Sequence, residues 1–97
     1  MERRSDNYEY PLFDDWTTAE LMEVLEFFRN IERAYQDPRG VQREQLLQSY
    51  RNFQKINPAP ADQHQLQRSF EARSGLDGFH LIKKARDCPE LNWIKAK

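Results

Sequence analysis

Trp16-Thr17-Thr18-Ala19-Glu20-Leu21-Met22-Glu23-Val24-Leu25-Glu26-Phe27-Phe28-Arg29-Asn30-Ile31-Glu32-Arg33-Ala34-Tyr35 is the stretch whose reading decides the fold. Its first residues are a helix start. The Thr17 hydroxyl is placed to accept the backbone N–H three residues on, and Glu20 to reach back to the N–H of Thr17, which makes a capping box. Trp16 ahead of the cap and Leu21 inside it are spaced to close a hydrophobic staple. Leu21, Val24, Leu25, Phe28, Ile31 and Tyr35 then recur three and four apart, one stripe of a 3.6-residue helix that Met22 and Phe27 widen. Asp37-Pro38-Arg39-Gly40 ends the segment as a turn, because proline presets φ and glycine admits positive φ.

Working outward, a second helix is expected from about Gln42 to Ile56, burying Leu46, Leu47, Tyr50, Phe53 and Ile56, without a good side-chain cap at its start. Asn57-Pro58-Ala59-Pro60 stops it, since each proline drives the residue before it out of the helical region. A third helix is expected from near Asp62, with a thin stripe of Leu66, Phe70 and Ala72, closed by Gly75 as a left-handed cap. Asp77 can cap a fourth helix carrying Phe79, Ile82 and Ala85, which Pro89 stops. The tail Leu91-Asn92-Trp93-Ile94 has the apolar mass to dock. No stretch alternates apolar and polar residues over strand length, so the expected fold is all-α: a small irregular bundle of about four helices. Tyr8-Glu9-Tyr10-Pro11-Leu12-Phe13 precedes it as an extended aromatic strap, with residues 1–7 as a flexible N-terminus and 8–97 as a single helical domain.

Composition agrees with one small domain. The chain has 97 residues, 15 basic and 16 acidic side chains and a formal net charge of -1. Leu, Ile, Val and Phe number 21 in all, enough for a modest core in a nearly neutral chain, and twelve aromatic residues supply much of it. Charge is uneven, net -5 over residues 1–48 and net +4 over 49–97. The two halves can cancel by packing together, or the basic half can meet an acidic partner. No apolar run approaches the roughly 20 residues that span a bilayer, and the polar start is not a secretory signal, so no membrane association and a cytoplasmic location are expected. Cys88 is the single cysteine, which leaves no internal disulfide and no cysteine cluster for zinc.

The order of the aromatics carries a resemblance. Tyr8-x-Tyr10-Pro11-Leu12, Trp16-Thr17 with Glu20, Phe27-Phe28, Glu32-x-Ala34-Tyr35, Gly40-Val41, Tyr50 with Phe53, and Phe70-Glu71 followed by Ser74-Gly75 resemble the small bacterial proteins of uncharacterised protein family 0223, over about Tyr8 to Ala85. The pattern departs at Gln42, where an acidic residue is usual, at Gln63-His64, which replaces an acidic-basic pair, and at Leu76, which replaces an aromatic. The resemblance implies a cytosolic all-helical protein and carries over no activity, cofactor or catalytic residue.

Chemistry-bearing side chains are few. His64 and His80 lack neighbours at i+3 or i+4 that complete a metal motif, and with Cys88 they make three ligands from three segments where zinc needs four. Cys88 lies near a helix C-terminus, where the macrodipole disfavours a thiolate. Glu20, Glu23 and Glu26, with Asp14 and Asp15 ahead, fit the positive end of the helix dipole and a solvated face better than a cation site. The expectation is therefore no enzyme, cofactor or metal. It is a protein-protein interaction or regulatory module of a bacterial cytosol that binds an unknown protein, or itself, through Tyr8, Tyr10, Pro11 and Trp16. The alternative is weak nucleic-acid binding through Lys83, Lys84 and Arg86 in the third and fourth helix region, although Asp77, Asp87 and Glu90 flank that cluster.

Overall fold

In a computed structural model that describes residues 16–96, the chain forms helices α1 (Thr18–Gln36), α2 (Arg43–Ile56), α3 (Pro60–Ser74) and α4 (Gly78–Asp87), with strands β1 (Val41–Gln42) and β2 (Trp93–Ile94). The all-α class holds, and α1 starts where its sequence says. Thr17 is the N-cap, its hydroxyl accepts from Glu20 N at 3.1 Å, and the Glu20 carboxylate accepts from Thr17 N at 2.9 Å. That box satisfies two of the amide groups a helix start leaves without partners. Gln42 stands as the α2 N-cap with no side-chain bond, as its amide chemistry foretold. Gly75 closes α3 in the left-handed region, and Asp77 caps α4 by accepting from His80 N.

The core forms where α1 and α2 pack side by side and α4 closes over both. Phe27, Phe28, Ile31, Leu46, Phe53, Leu66, Phe70 and Leu81 lie in one buried cluster. Phe27 packs against Phe53 at 4.9 Å between ring centres, and Phe28 stacks on Phe70 at 4.4 Å and nearly parallel. Such pairs add about 0.5–1.5 kcal/mol to what their burial supplies.

Four expectations need correction. The buried face of α1 is centred on Phe27, Phe28 and Ile31, with Ala34 and Asn30 inside it; Met22, counted in the stripe, is 57% exposed, because the helix turns that flank away from both neighbours. The third helix starts two residues early. Pro60 takes its first turn, where a missing N–H is no loss and φ is already helical, so Pro58 ends α2 and Pro60 begins α3. Ala72, assigned to the α3 stripe, is exposed, while Leu81, left out of the α4 stripe, is fully buried.

The fourth correction is a strand pair where none was expected. β1 and β2 pair antiparallel with Val41 opposite Ile94 and Gln42 opposite Trp93. A two-residue ladder has too little length to show a period. It arises because Gly40, at φ 86, turns the chain out of α1 and lets the tail backbone pass against it; a Cβ there would run into the Ile94 carbonyl. The tail docks, as its apolar mass required, with Ile94 wholly buried. The Tyr8–Phe13 strap, residues 1–7 and the carboxylates Asp14 and Asp15 fall outside the described residues.

Candidate functional site

The N-terminal end of α1 is where the interaction reading converges, and its described part is small. Tyr8, Tyr10 and Pro11 lie outside the described residues. Trp16 is half-buried and packs against the core cluster, so it acts at least partly as an anchor. Two turns along, Met22 stands exposed. Carboxylates surround it, yet each has a separate task. Glu20 closes the capping box, Glu23 accepts from Asn52 Nδ2 of α2 at 3.0 Å, and Glu26 meets Arg33 at 3.3 Å and Arg29 at 3.7 Å. The three acids therefore serve a cap, an interhelical bond and an ion pair. They do not converge on one point.

Histidine and cysteine are equally dispersed. The His64 ring packs on Phe79 at 4.9 Å, His80 enters the α4 cap through its backbone N–H, and Cys88 is half-buried just past the end of α4. Among the described residues, no three side chains of His, Cys, Asp or Glu are grouped so that they could hold a metal ion. Among the described residues, open hollows mark the surface in at least two places. One, about 530 Å³, runs along α3 past Ala61, His64, Arg68 and Ala72; the other, about 420 Å³, lies by Arg29, Glu32, Arg33 and Asp37. The first holds a histidine without a carboxylate, the second carboxylates without a histidine.

The basic residues proposed for nucleic acid are each occupied within the chain. Lys83 pairs with Asp87 at 3.0 Å, Lys84 donates to the Lys95 carbonyl at 2.7 Å, and the Arg86 guanidinium lies 5.4 Å from the Tyr50 ring centre. The Lys83 pair is exposed on both sides and is worth at most about 1 kcal/mol, so it would yield to a phosphate. Lys84 and Arg86 have structural work: one ties the tail to α4, the other covers an aromatic face.

Sequence reasoning missed two polar side chains that organise the interior. Asn30, fully buried, donates from Nδ2 to Ser49 Oγ at 2.9 Å and accepts from Arg33 at 2.6 Å, fixing α1 against α2. Arg43 donates from Nε to the Ala85 carbonyl at 2.7 Å and, from its backbone, to the Asn92 carbonyl at 2.9 Å. It thereby satisfies an orphan carbonyl at the end of α4 and holds the tail at once. An asparagine inside an apolar stripe was the one available signal for the first; nothing local marks the second. Among the described residues, no helix is long and apolar enough to cross a membrane.

Residues 7–94 match the model of Uncharacterised protein family (UPF0223). The chain is 38% identical over 86 residues to UPF0223 protein OB1419 of Oceanobacillus iheyensis, which spans 89% of this chain and 96% of that protein. It is 40% identical over 80 residues to UPF0223 protein YktA of Bacillus subtilis, 82% of this chain and 89% of the relative, and 41% identical over 81 residues to UPF0223 protein YfdD of Lactococcus lactis, at 84% and 85%.

Proposed function

The chain belongs to the uncharacterised protein family UPF0223, and from that premise we propose that it is a non-enzymatic interaction module of the bacterial cytosol, docking a protein partner on the N-terminal end of α1. One observation carries this reading: Met22, the most exposed large apolar side chain among the described residues, stands on the helix into which the aromatic segment Tyr8–Phe13 leads. Methionine suits a contact surface because its unbranched thioether adapts to a partner's shape. Tyrosine and tryptophan concentrate binding energy where they can be buried at an interface. Glu23 and Glu26 flank Met22 but are engaged with Asn52 and with Arg29 and Arg33, so the partner face opposite would be centred on apolar side chains.

Site-specific photo-crosslinking tests the proposal. A photoreactive side chain at position 22 of the full chain, expressed in its host, is expected to capture one recurring protein or a second copy of the chain. The same group at Arg51, on the outer face of α2, is expected to capture nothing recurrent. With the photoreactive group moved to the exposed Thr18, one turn away, Met22→Glu should abolish the capture with helicity by circular dichroism unchanged, and light-scattering mass separates self-association from a foreign partner. Equal capture from positions 22 and 51 would overturn the proposal. So would salt-sensitive DNA or RNA binding that disappears on neutralising Lys83, Lys84 and Arg86, which marks the nucleic-acid alternative instead.

A further inference from the structure

We infer that α3 is a releasable flap, a unit that undocks from α1 and α4 while the rest of the bundle stays folded, and that the Gln67 amide sets how often it does so. The starting point is how little holds a fifteen-residue helix. α3 buries Leu66, Gln67 and Phe70. One of those three is polar. Gln67 is 3% exposed, and among the described residues neither its Oε1 nor its Nε2 finds a hydrogen-bond partner. Docking α3 therefore strips water from an amide and returns nothing for it, a penalty the undocked state does not suffer.

The amide is closely enclosed between α1 and α4. Gln67 packs against Gly78 at the start of α4 and near Ile31 of α1. The position a Cβ would take on Gly78 lies 2.8 Å from Gln67 Oε1 and 2.6 Å from Ile31 Cδ1. There is methyl on one side and bare backbone on the other. Leucine in place of glutamine would fill much the same volume with no polar atoms to desolvate.

The ends of α3 are built to turn. Pro58 and Pro60 bracket its start, which has no side-chain cap, and Gly75 ends it at φ 78 with open space where a Cβ would stand. Backbone approach tells the same story: α1 and α2 lie close to each other, whereas the backbone of α3 approaches α4 more sparsely and meets α1 chiefly through the Phe28–Phe70 stack. Its hydrogen bonds toward α2 gather at the first turn, where Gln63 Nε2 donates to the carbonyl of Asn57, the α2 C-cap, at 2.8 Å and Gln63 Oε1 accepts from Gln54 Nε2 of α2 at 3.5 Å. The helix is thus pinned near its N-terminal end and swings from there. Release uncovers the face of Phe28 on which Phe70 is stacked, on the same helix that carries Met22.

Native-state hydrogen exchange on the full chain decides the matter, because local opening and global unfolding leave different signatures. Amides of residues 66–73 are expected to exchange through an opening far less sensitive to urea than that of the α1 and α2 amides, and at least about tenfold faster. Gln67→Leu is expected to slow exchange in α3 by about tenfold or more while α1 and α2 keep their rates; Gln67→Met, of similar length, gives the same direction should leucine misfold. Uniform protection across all four helices would overturn the inference from the native chain alone. Faster α3 exchange in both variants would also overturn it, because it would mean the amide is satisfied and stabilising, for example by an internal water.

Discussion

The tail, residues 91–96, and helix α3 are opposite solutions to the problem of holding a short segment on a small body. The tail has six residues and scarcely any regular structure, yet it is gripped along its length. Ile94 is wholly buried and pairs with Val41, the Asn92 carbonyl accepts from Arg43, Ala96 donates to the Ala34 carbonyl, the Lys95 carbonyl accepts from Lys84, and Arg39 covers the Trp93 ring. α3 has fifteen residues, satisfies its own backbone, and buries against the body two apolar side chains and an unpaired amide, with His64 on Phe79 and Gln63 on the Asn57 carbonyl at its margin. The difference teaches that element length is a poor measure of hold. A helix that satisfies itself owes its neighbours only side-chain contacts, and a thin stripe provides few. A strand-like tail must find partners for its backbone elsewhere, and in finding them it becomes tied to α1, α2 and α4 together.

The contrast is broken most forcibly at Gly40. Gly40→Ala forces a side chain onto φ 86 and into the Ile94 carbonyl, so the tail must leave its place. A loss of about 4 kcal/mol is expected in urea unfolding, the scale of backbone strain joined to lost core packing. Gly75→Ala shares the positive φ but has open space around it, and its cost should stop at about 1–2 kcal/mol of left-handed strain, read mainly in α3. Equal losses at the two glycines would remove the distinction between tail and flap.

Truncation of Ile94 sharpens the same comparison from the side of burial. Ile94→Ala should cost about 3 kcal/mol, the ordinary range for deleting a fully buried aliphatic side chain, and the loss should appear in the global transition, since the tail joins three helices. Retention of near-native stability would mean that the backbone bonds of the tail, rather than its anchor, keep it docked.

Much of this fold is legible in the chain because its strongest signals are local. Thr17 and Glu20 lie three residues apart and cap one another; Leu46, Leu47, Tyr50 and Phe53 fall on one face; Gly75 and Asp77 end one helix and begin the next. What escaped depends on residues far apart. The Val41–Ile94 pairing spans half the chain and is two residues long, so neither period nor propensity could reveal it. Whether Met22 or Phe27 faces inward depends on where α2 and α4 lie around α1, which a stripe read on one helix cannot decide. Pro60 looks like a terminator until it is seen that a proline also suits a first turn. The interaction surface was drawn from aromatic abundance, and Phe27, Phe28, Tyr50, Phe53 and Phe70 are spent in the core. Met22, at the margin of the stripe, was passed over because an apolar residue near a helix stripe reads as core.

The smallest test concerns the outermost contact of the tail. The Arg39 guanidinium lies 4.2 Å from the centre of the Trp93 ring, where the negative face of the π system attracts it. Arg39 is exposed and Trp93 half-buried, so water competes, and the contact should be worth about 0.5–1 kcal/mol. Arg39→Ala is expected to lower stability by no more than that, with a shift in the Trp93 indole resonance reporting the uncovered ring, whereas Arg39→Lys should recover part of the loss because an ammonium keeps the charge but loses the flat stacking face. A loss near that of Ile94→Ala would mean that this surface pair closes the tail. A small loss would leave Ile94 and the ladder as its anchor, which is what a buried side chain opposite an exposed cation predicts.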